Sequence, residues 1–253
     1  MIKVSSLLTG YGKKIVLHDI NTTFNDGEFT CIIGPNSCGK STFLKSLCNI
    51  LTPWEGKVEI DGKDITKIKR YEKARQIAYL QQENKTSAMT VEQFVLKGRF
   101  PYLSFPKCFK DEDKKIAEVS MQKLGILSLR DKTISTLSGG MKQNVYIAMA
   151  LCQDSKNLLF DEPTTYLDIS NGIRIIKILK SLALQGKCIV SVIHDLHLAI
   201  DFADRILLMD NGEVVADGTP DEVINTPEFE TAFKVKATKI ISGDVGSYKF
   251  DLL

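Results

Sequence analysis

The residues with the clearest chemistry are Gly34-Pro35-Asn36-Ser37-Cys38-Gly39-Lys40-Ser41, followed by Thr42. Their spacing is that of a loop whose backbone N–H groups converge on phosphate oxygens, with Lys40 placed to neutralise the outer phosphates and the Ser41 hydroxyl to ligate Mg²⁺. The setting suits that chemistry. Phe29-Thr30-Cys31-Ile32-Ile33 predicts a strand before the loop, and Thr42-Phe43-Leu44-Lys45-Ser46-Leu47 predicts a helix after it, whose N-terminus adds a positive dipole end.

Four other stretches carry reactive groups. Asn157-Leu158-Leu159-Phe160 is an apolar strand ending in Asp161-Glu162-Pro163. Neighbours on a strand face opposite sides, so the two carboxylates are predicted to differ in role, one in a Mg²⁺ shell and the next toward an attacking water. The run Cys188 to Ile193 ends at His194-Asp195, where Asp195 can cap a helix bearing Leu198, Ala199 and Phe202. A lone strand-end histidine is more often structural than catalytic, but this is the third core strand whose end carries reactive groups. Gln76 to Leu80 ends at Gln81-Gln82, either a ligand contact at a strand's carboxyl end or a solvated strand end. Leu137-Ser138-Gly139-Gly140-Met141-Lys142-Gln143 opens a helix and is either a second anion site or an ordinary cap. Tyr11, in the first turn, is either a surface tyrosine or a platform for adenine.

The elements that must position these groups are legible in outline. Residues 2–33 alternate β-like runs with turns, and Asp26-Gly27 is a hairpin-type dipeptide before the loop's strand. Lys57-Val58-Glu59-Ile60 with Asp61-Gly62 predicts a strand and hairpin. From 86 to 156 the pattern turns helical, as in Asp111 to Leu124, where Ile116, Val119 or Ser120, and Leu124 recur at helical spacing behind an acidic first turn. Within this segment Phe100-Pro101-Tyr102-Leu103-Ser104-Phe105-Pro106 is expected outside regular structure, as an exposed contact surface or a loop folded onto the core. Thr164 to Asp168 leads into a helix through Ile173, Ile176 and Leu179. Asp210-Asn211-Gly212 predicts a hairpin, and Thr219-Pro220-Asp221-Glu222 a capped helix start. The tail from Phe233 predicts a small β appendage, and His18 and His197 read as surface or packing residues.

Composition bounds the function class. The 253 residues are 43% hydrophobic and 25% charged, enough for a substantial core, and 33 basic against 31 acidic residues leave a net charge of +2. No basic tract suggests a nucleic-acid groove, so no nucleic-acid partner is expected. Neither the N-terminus nor any apolar run has the length of a signal peptide core or a bilayer span. Six scattered cysteines without a C-x-x-C pair read as reduced thiols in a cytosolic chain.

Taken together, the ordered motifs resemble the nucleotide-binding subunit of an ATP-binding cassette (ABC) transporter, from Tyr11 to about Glu222. The resemblance implies an α/β fold: a P-loop NTPase core with an N-terminal antiparallel β subdomain and an inserted α-helical subdomain. In this chain the core with its β subdomain would be 1–85 and 157–218, the helical signature subdomain 86–156, and the C-terminal helix and appendage 219–253. It further implies that Tyr11 stacks on adenine, that Gly34 to Thr42 bind the phosphates of ATP, and that Ser41, Gln82 and Asp161 serve Mg²⁺. Glu162 would be the catalytic carboxylate, with His194 and Gln82 completing the catalytic set. Ser138, Gly139, Gly140 and Met141 would act in trans on a second copy's nucleotide, and Asp168 would lie in the dimer-contact loop. Four positions depart from the family's usual pattern: Ser37 and Cys38, where Gly-Ser is commoner, Met141 in place of glutamine, and Gln81 in place of proline. Ser37 has less backbone freedom than glycine, and bound phosphates should disfavour a Cys38 thiolate.

The run Thr90 to Tyr102 with Thr164 to Ile169 looks like the importers of iron-siderophores, haem and cobalamin. That implies a homodimer on integral permease subunits at the cytoplasmic face of a prokaryotic membrane, served indirectly by a substrate-binding protein. Other importers, for metal ions or small polar solutes, and a soluble ATPase of iron–sulfur assembly are the alternatives. A guanine-reading switch is disfavoured, because Asn84-Lys85-Thr86-Ser87 lacks the required aspartate.

Overall fold

Hydrogen bonding sorts the strands into three sheets. The computed structural model describes residues 1–81, 88–106, 108–242 and 245–253; Gln82 and Asn84-Lys85-Thr86 lie outside them. The first sheet is antiparallel and holds β1 (Ile2–Tyr11), β2 (Lys14–Phe24), β4 (Glu55–Ile60) and β5 (Lys63–Asp64), in the order β2-β1-β4-β5. The central sheet holds β3 (Phe29–Ile33), β6 (Ile77–Leu80), β7 (Asn157–Asp161), β8 (Cys188–Val192), β9 (Arg205–Asp210) and β10 (Glu213–Gly218), in the order β10-β9-β3-β8-β7-β6. Five of these run parallel and β10 turns back antiparallel. The third is the hairpin β11 (Val235–Ser242) and β12 (Val245–Leu252).

The order of the central sheet is what assembles the site. β3, β8 and β7 are neighbours, and Ile32, Val192 and Asp161 lie in one row. The three chains therefore leave the sheet side by side at its carboxyl edge, where doubly wound sheets place ligands. All three strands are buried along their whole length, as expected for parallel strands covered on both faces. One face packs on α1 (Lys40–Leu47) and the antiparallel sheet, with Phe24 against Phe43 at 6.0 Å between rings.

Asp26-Gly27 is a turn but not a hairpin. β2 and β3 belong to different sheets, and Gly27, at φ +78, passes the chain between them. Asn211-Gly212 is the true hairpin, with φ values of +45 and +83 that join β9 to β10, as a type I′ turn requires.

Between β6 and β7 the described residues form α3 (Val91–Val95), α4 (Asp111–Lys123) and α5 (Gly139–Cys152); α2 (Arg70–Gln76) precedes β6. Thr90 and Gln93 form a capping box at α3, and Ser120 rather than Val119 faces inward on α4. Contrary to expectation, Phe100-Pro101-Tyr102 is regular. It ends a 3₁₀-helix over Leu96–Tyr102 that carries Pro101 within it. Tyr102 folds inward under the guanidinium of Arg99, 3.9 Å from its ring centre, whereas Phe105 is 95% exposed. Each of the two sequence alternatives thus describes part of the segment.

Arg99 ties this layer together. It is buried, its Nε donates to Asp113 Oδ1 at 2.9 Å, and its Nη1 donates to the Cys152 carbonyl at 3.2 Å. Arg99→Met would strand a buried carboxylate, and losing one partner of such a pair costs about 3–5 kcal/mol. The thermal midpoint should fall by on the order of 10 °C. A calorimetric scan showing an unshifted midpoint would remove Arg99 from that role.

After β7 come α6 (Ile169–Leu184) and α7 (Leu196–Phe202), each N-capped by an aspartate, Asp168 and Asp195. α8 (Pro220–Ile224) starts with the capping box Thr219/Glu222, and α9 (Pro227–Phe233) follows it. Phe250 of the terminal hairpin rests on Phe229 and on the ring of His197, giving that histidine a packing role.

Candidate functional site

The phosphate loop leaves β3 through Gly34, at φ +149, where a Cβ would lie 2.0 Å from the Met209 carbonyl oxygen. Only glycine fits there. Ser37 adopts the left-handed conformation at φ +65, an arrangement costing a non-glycine residue about 1–2 kcal/mol. Its departure from glycine leaves the loop's turn in place. Cys38 is buried, and burial above all pushes its thiol pKa up, against the neighbouring Lys40. Gly212 N–H donates to the Cys38 carbonyl at 2.9 Å, so the β9–β10 turn braces the loop from behind.

Lys40 is buried at the start of α1, and its Nζ donates to the carbonyls of Gly34 at 2.8 Å and Pro35 at 2.7 Å. The ammonium is thus held at the mouth of its own loop. Ser41 Oγ donates to Asp161 Oδ1 at 3.1 Å, and Tyr79 Oη donates to Oδ2 at 3.3 Å. Asp161 is 2% exposed. Burial, opposed by the Ser41 bond and reinforced by Glu162, holds its carboxyl pKa above the usual range. A hydroxyl and a buried carboxylate form an oxygen donor set suited to a hard divalent cation.

Glu162 sits past the end of β7 at φ +54. Strand alternation therefore does not separate the two acids; the left-handed turn does. Asp161 faces Ser41, while Glu162 Oε1 lies 2.5 Å from His194 Nε2 and its Oε2 accepts from Thr165 Oγ1 at 3.2 Å. The Glu162 side chain is only 11% exposed, against 45% for His194.

Lys40, Ser41, Glu162 and His194 share one open cavity of about 610 Å³, lined among others by Asn36 and Thr42, and Asp161 is bonded to its Ser41. The lining offers backbone N–H donors, an ammonium, an acid and an imidazole. The arrangement can seat a polyphosphate and hold a water against its outer end.

Gly34, Pro35, Cys38 and Asp161 are not in the lining itself, and six further expected residues stand elsewhere. Tyr11 is half-exposed at the end of β1 and is not in the lining. Ser138 caps α5, its Oγ accepting from Met141 N–H, and Gly139, Gly140 and Met141 follow it, all outside the lining. A single chain does not bring them to its own cavity. Asp168 caps α6 by accepting from Asn171 N–H at 2.8 Å, a bond that holds its carboxyl pKa low. Gln82 lies outside the described residues.

Sequence reasoning missed Tyr79, Thr165 and Gln143. Gln143 Nε2 donates to the Pro163 carbonyl at 3.0 Å, fastening α5 to the turn behind Glu162.

A family model described as ABC transporter matches residues 17–165, more than half the chain. The ferric enterobactin transport ATP-binding protein FepC of Escherichia coli (strain K12) is 37% identical over 93% of this chain and 88% of its own length. The iron(3+)-hydroxamate import ATP-binding protein FhuC of Bacillus subtilis (strain 168) gives the same identity and coverage. Among solved structures, the dimeric bacterial ABC transporter cassette MJ0796 is 30% identical with a TM-score of 0.78, covering 87% of this chain and 99% of its own. A nucleotide-free ATP-binding cassette reaches 0.82 at 24% identity, covering 92% and 98%, a likeness of fold.

Proposed function

Because the chain belongs to the ABC transporter family, as one of its ATP-hydrolysing subunits, we propose that it powers an importer of iron-siderophores, at the cytoplasmic face of the membrane. The observation carrying the chemistry is the single cavity in which Lys40 and Ser41 face Glu162 and His194. The substrate class follows from the names of relatives that align along nearly the whole chain, enterobactin and hydroxamate importers among them. Among the described residues no helix is long and apolar enough to cross a membrane, and we place the translocation path in separate permease subunits.

The mechanism follows from the residues. Backbone N–H groups of the loop from Gly34 to Thr42, Pro35 excepted, receive the phosphates of ATP, and Lys40 exchanges its carbonyl partners for the outer phosphate oxygens. Ser41 and Asp161, with Gln82, would hold Mg²⁺, which when bound offsets the charge of the phosphates. Glu162 orients or deprotonates the attacking water, while His194 stabilises the γ-phosphate. Positioning and electrostatics of this kind carry phosphoryl transfer. Ser138, Gly139, Gly140 and Met141 complete the site from a second copy, with Asp168 in the loop between copies and Tyr11 beside the adenine. The resulting closing and opening would reach the permease through Gln82 and the helices of 86–156.

The test is a pull-down from detergent-solubilised native membranes, followed by ATPase assays with binding protein loaded or not with a ferric siderophore. A polytopic permease should co-purify, and the loaded binding protein should stimulate turnover. Recovery of soluble partners alone would overturn the importer reading.

A further inference from the structure

We propose that Thr165 is a positioning residue for hydrolysis, holding the Glu162 carboxylate in the orientation that faces the attacking water. The inference rests on the reading of Glu162 given above. Glu162 must keep one carboxylate rotation although its own backbone is in an unfavourable conformation, at φ +54. One oxygen meets His194, a half-exposed side chain, and the other accepts from the Thr165 hydroxyl at 3.2 Å. The hydroxyl is the better anchored of the two.

Its anchoring can be followed outward. Thr165 N–H donates to the Glu162 carbonyl at 3.3 Å, and Leu167 N–H to that of Thr164 at 3.2 Å, closing a tight turn. Gln143, nearly wholly buried on α5, fixes that turn through the Pro163 carbonyl. Gly140 approaches its far side so closely that a Cβ would lie 3.3 Å from the Tyr166 carbonyl oxygen and from Leu167 Cδ2. Threonine's β-branch also restricts χ1, so the hydroxyl arrives at Glu162 Oε2 with little freedom left. Thr165 is absent from the cavity lining, which separates an effect on the water's base from an effect on nucleotide binding.

Thr165→Val preserves shape and removes the donor. It should lower kcat for ATP about tenfold, the size of one hydrogen bond to a charged group, with KM and nucleotide affinity within about twofold. Thr165→Ser, which restores the hydroxyl, should recover most of the rate. Adding Thr165→Val to Glu162→Gln should change the residual single-turnover rate no further, because a residue acting through Glu162 has nothing left to position. A wild-type kcat in Thr165→Val, no rescue by serine, or an additive loss in the double variant would each overturn the proposal. If Glu162→Gln itself turns over normally, the reading of Glu162 fails first; if only Thr165→Val does, Glu162 keeps its role and Thr165 loses its own.

Discussion

Glu162→Gln is expected to bind ATP with nearly unchanged affinity and to lose turnover by roughly 10²- to 10⁴-fold, the usual contribution of a positioned general base. The substitution keeps the side chain's length and its two polar ends, so Thr165 can still donate to the amide oxygen and His194 keeps a neighbour. What disappears is the negative charge that accepts the water's proton. Nucleotide binding should survive because the proposed phosphate contacts come from the loop and Lys40 rather than from Glu162. Titration with a fluorescent ATP analogue alongside phosphate-release assays separates the two. Full turnover would exclude Glu162 from catalysis.

Lys40→Ala should fail earlier, at binding. The ammonium is buried, bonded to two carbonyls of its own loop, and among the described residues the only Lys or Arg side chain lining the cavity. Removal takes away both a charge-assisted contact to the outer phosphates and the clasp that shapes the loop. At about 1.5–3 kcal/mol for a hydrogen bond to a charged group, ATP affinity should weaken roughly 10- to 100-fold by calorimetric titration. Turnover should become undetectable at ATP concentrations that saturate the unaltered protein. An unchanged affinity would refute the assignment of the loop. The contrast between the variants is the point: one binds and does not hydrolyse, the other scarcely binds.

What the sequence discloses and what it conceals divide by distance along the chain. The phosphate loop, the Asn211-Gly212 hairpin and the Thr219/Glu222 box are written in adjacent residues, because φ preferences and capping bonds act within a few positions. The central sheet could be anticipated as apolar runs, but the adjacency of β3, β8 and β7 could not. Tyr79 reaches Asp161 across 82 positions and Ser41 reaches it across 120. Neither contact leaves a local trace. Asp26-Gly27 misleads because a turn dipeptide specifies the bend and not the sheet that follows it. The two acids mislead differently: strand alternation was the right rule for a strand, and the strand stops at Asp161. The 3₁₀-helix through Pro101 was hidden because part of its support comes from Arg75, which stacks on Tyr102 and donates to the Pro101 carbonyl from a distant stretch of the chain.

Everything proposed for turnover requires that two copies close on ATP, since Ser138, Gly139 and Gly140 stand away from their own chain's cavity. The direct measurement is the light-scattering mass of Glu162→Gln, a 28.2 kDa chain, with and without Mg²⁺ and ATP, beside the same variant carrying Ser138→Arg. The account expects the mass to double with ATP in the first and to stay at one chain in the second. A Glu162→Gln protein that binds ATP yet remains one chain, or a Ser138→Arg form that doubles equally well, would contradict it.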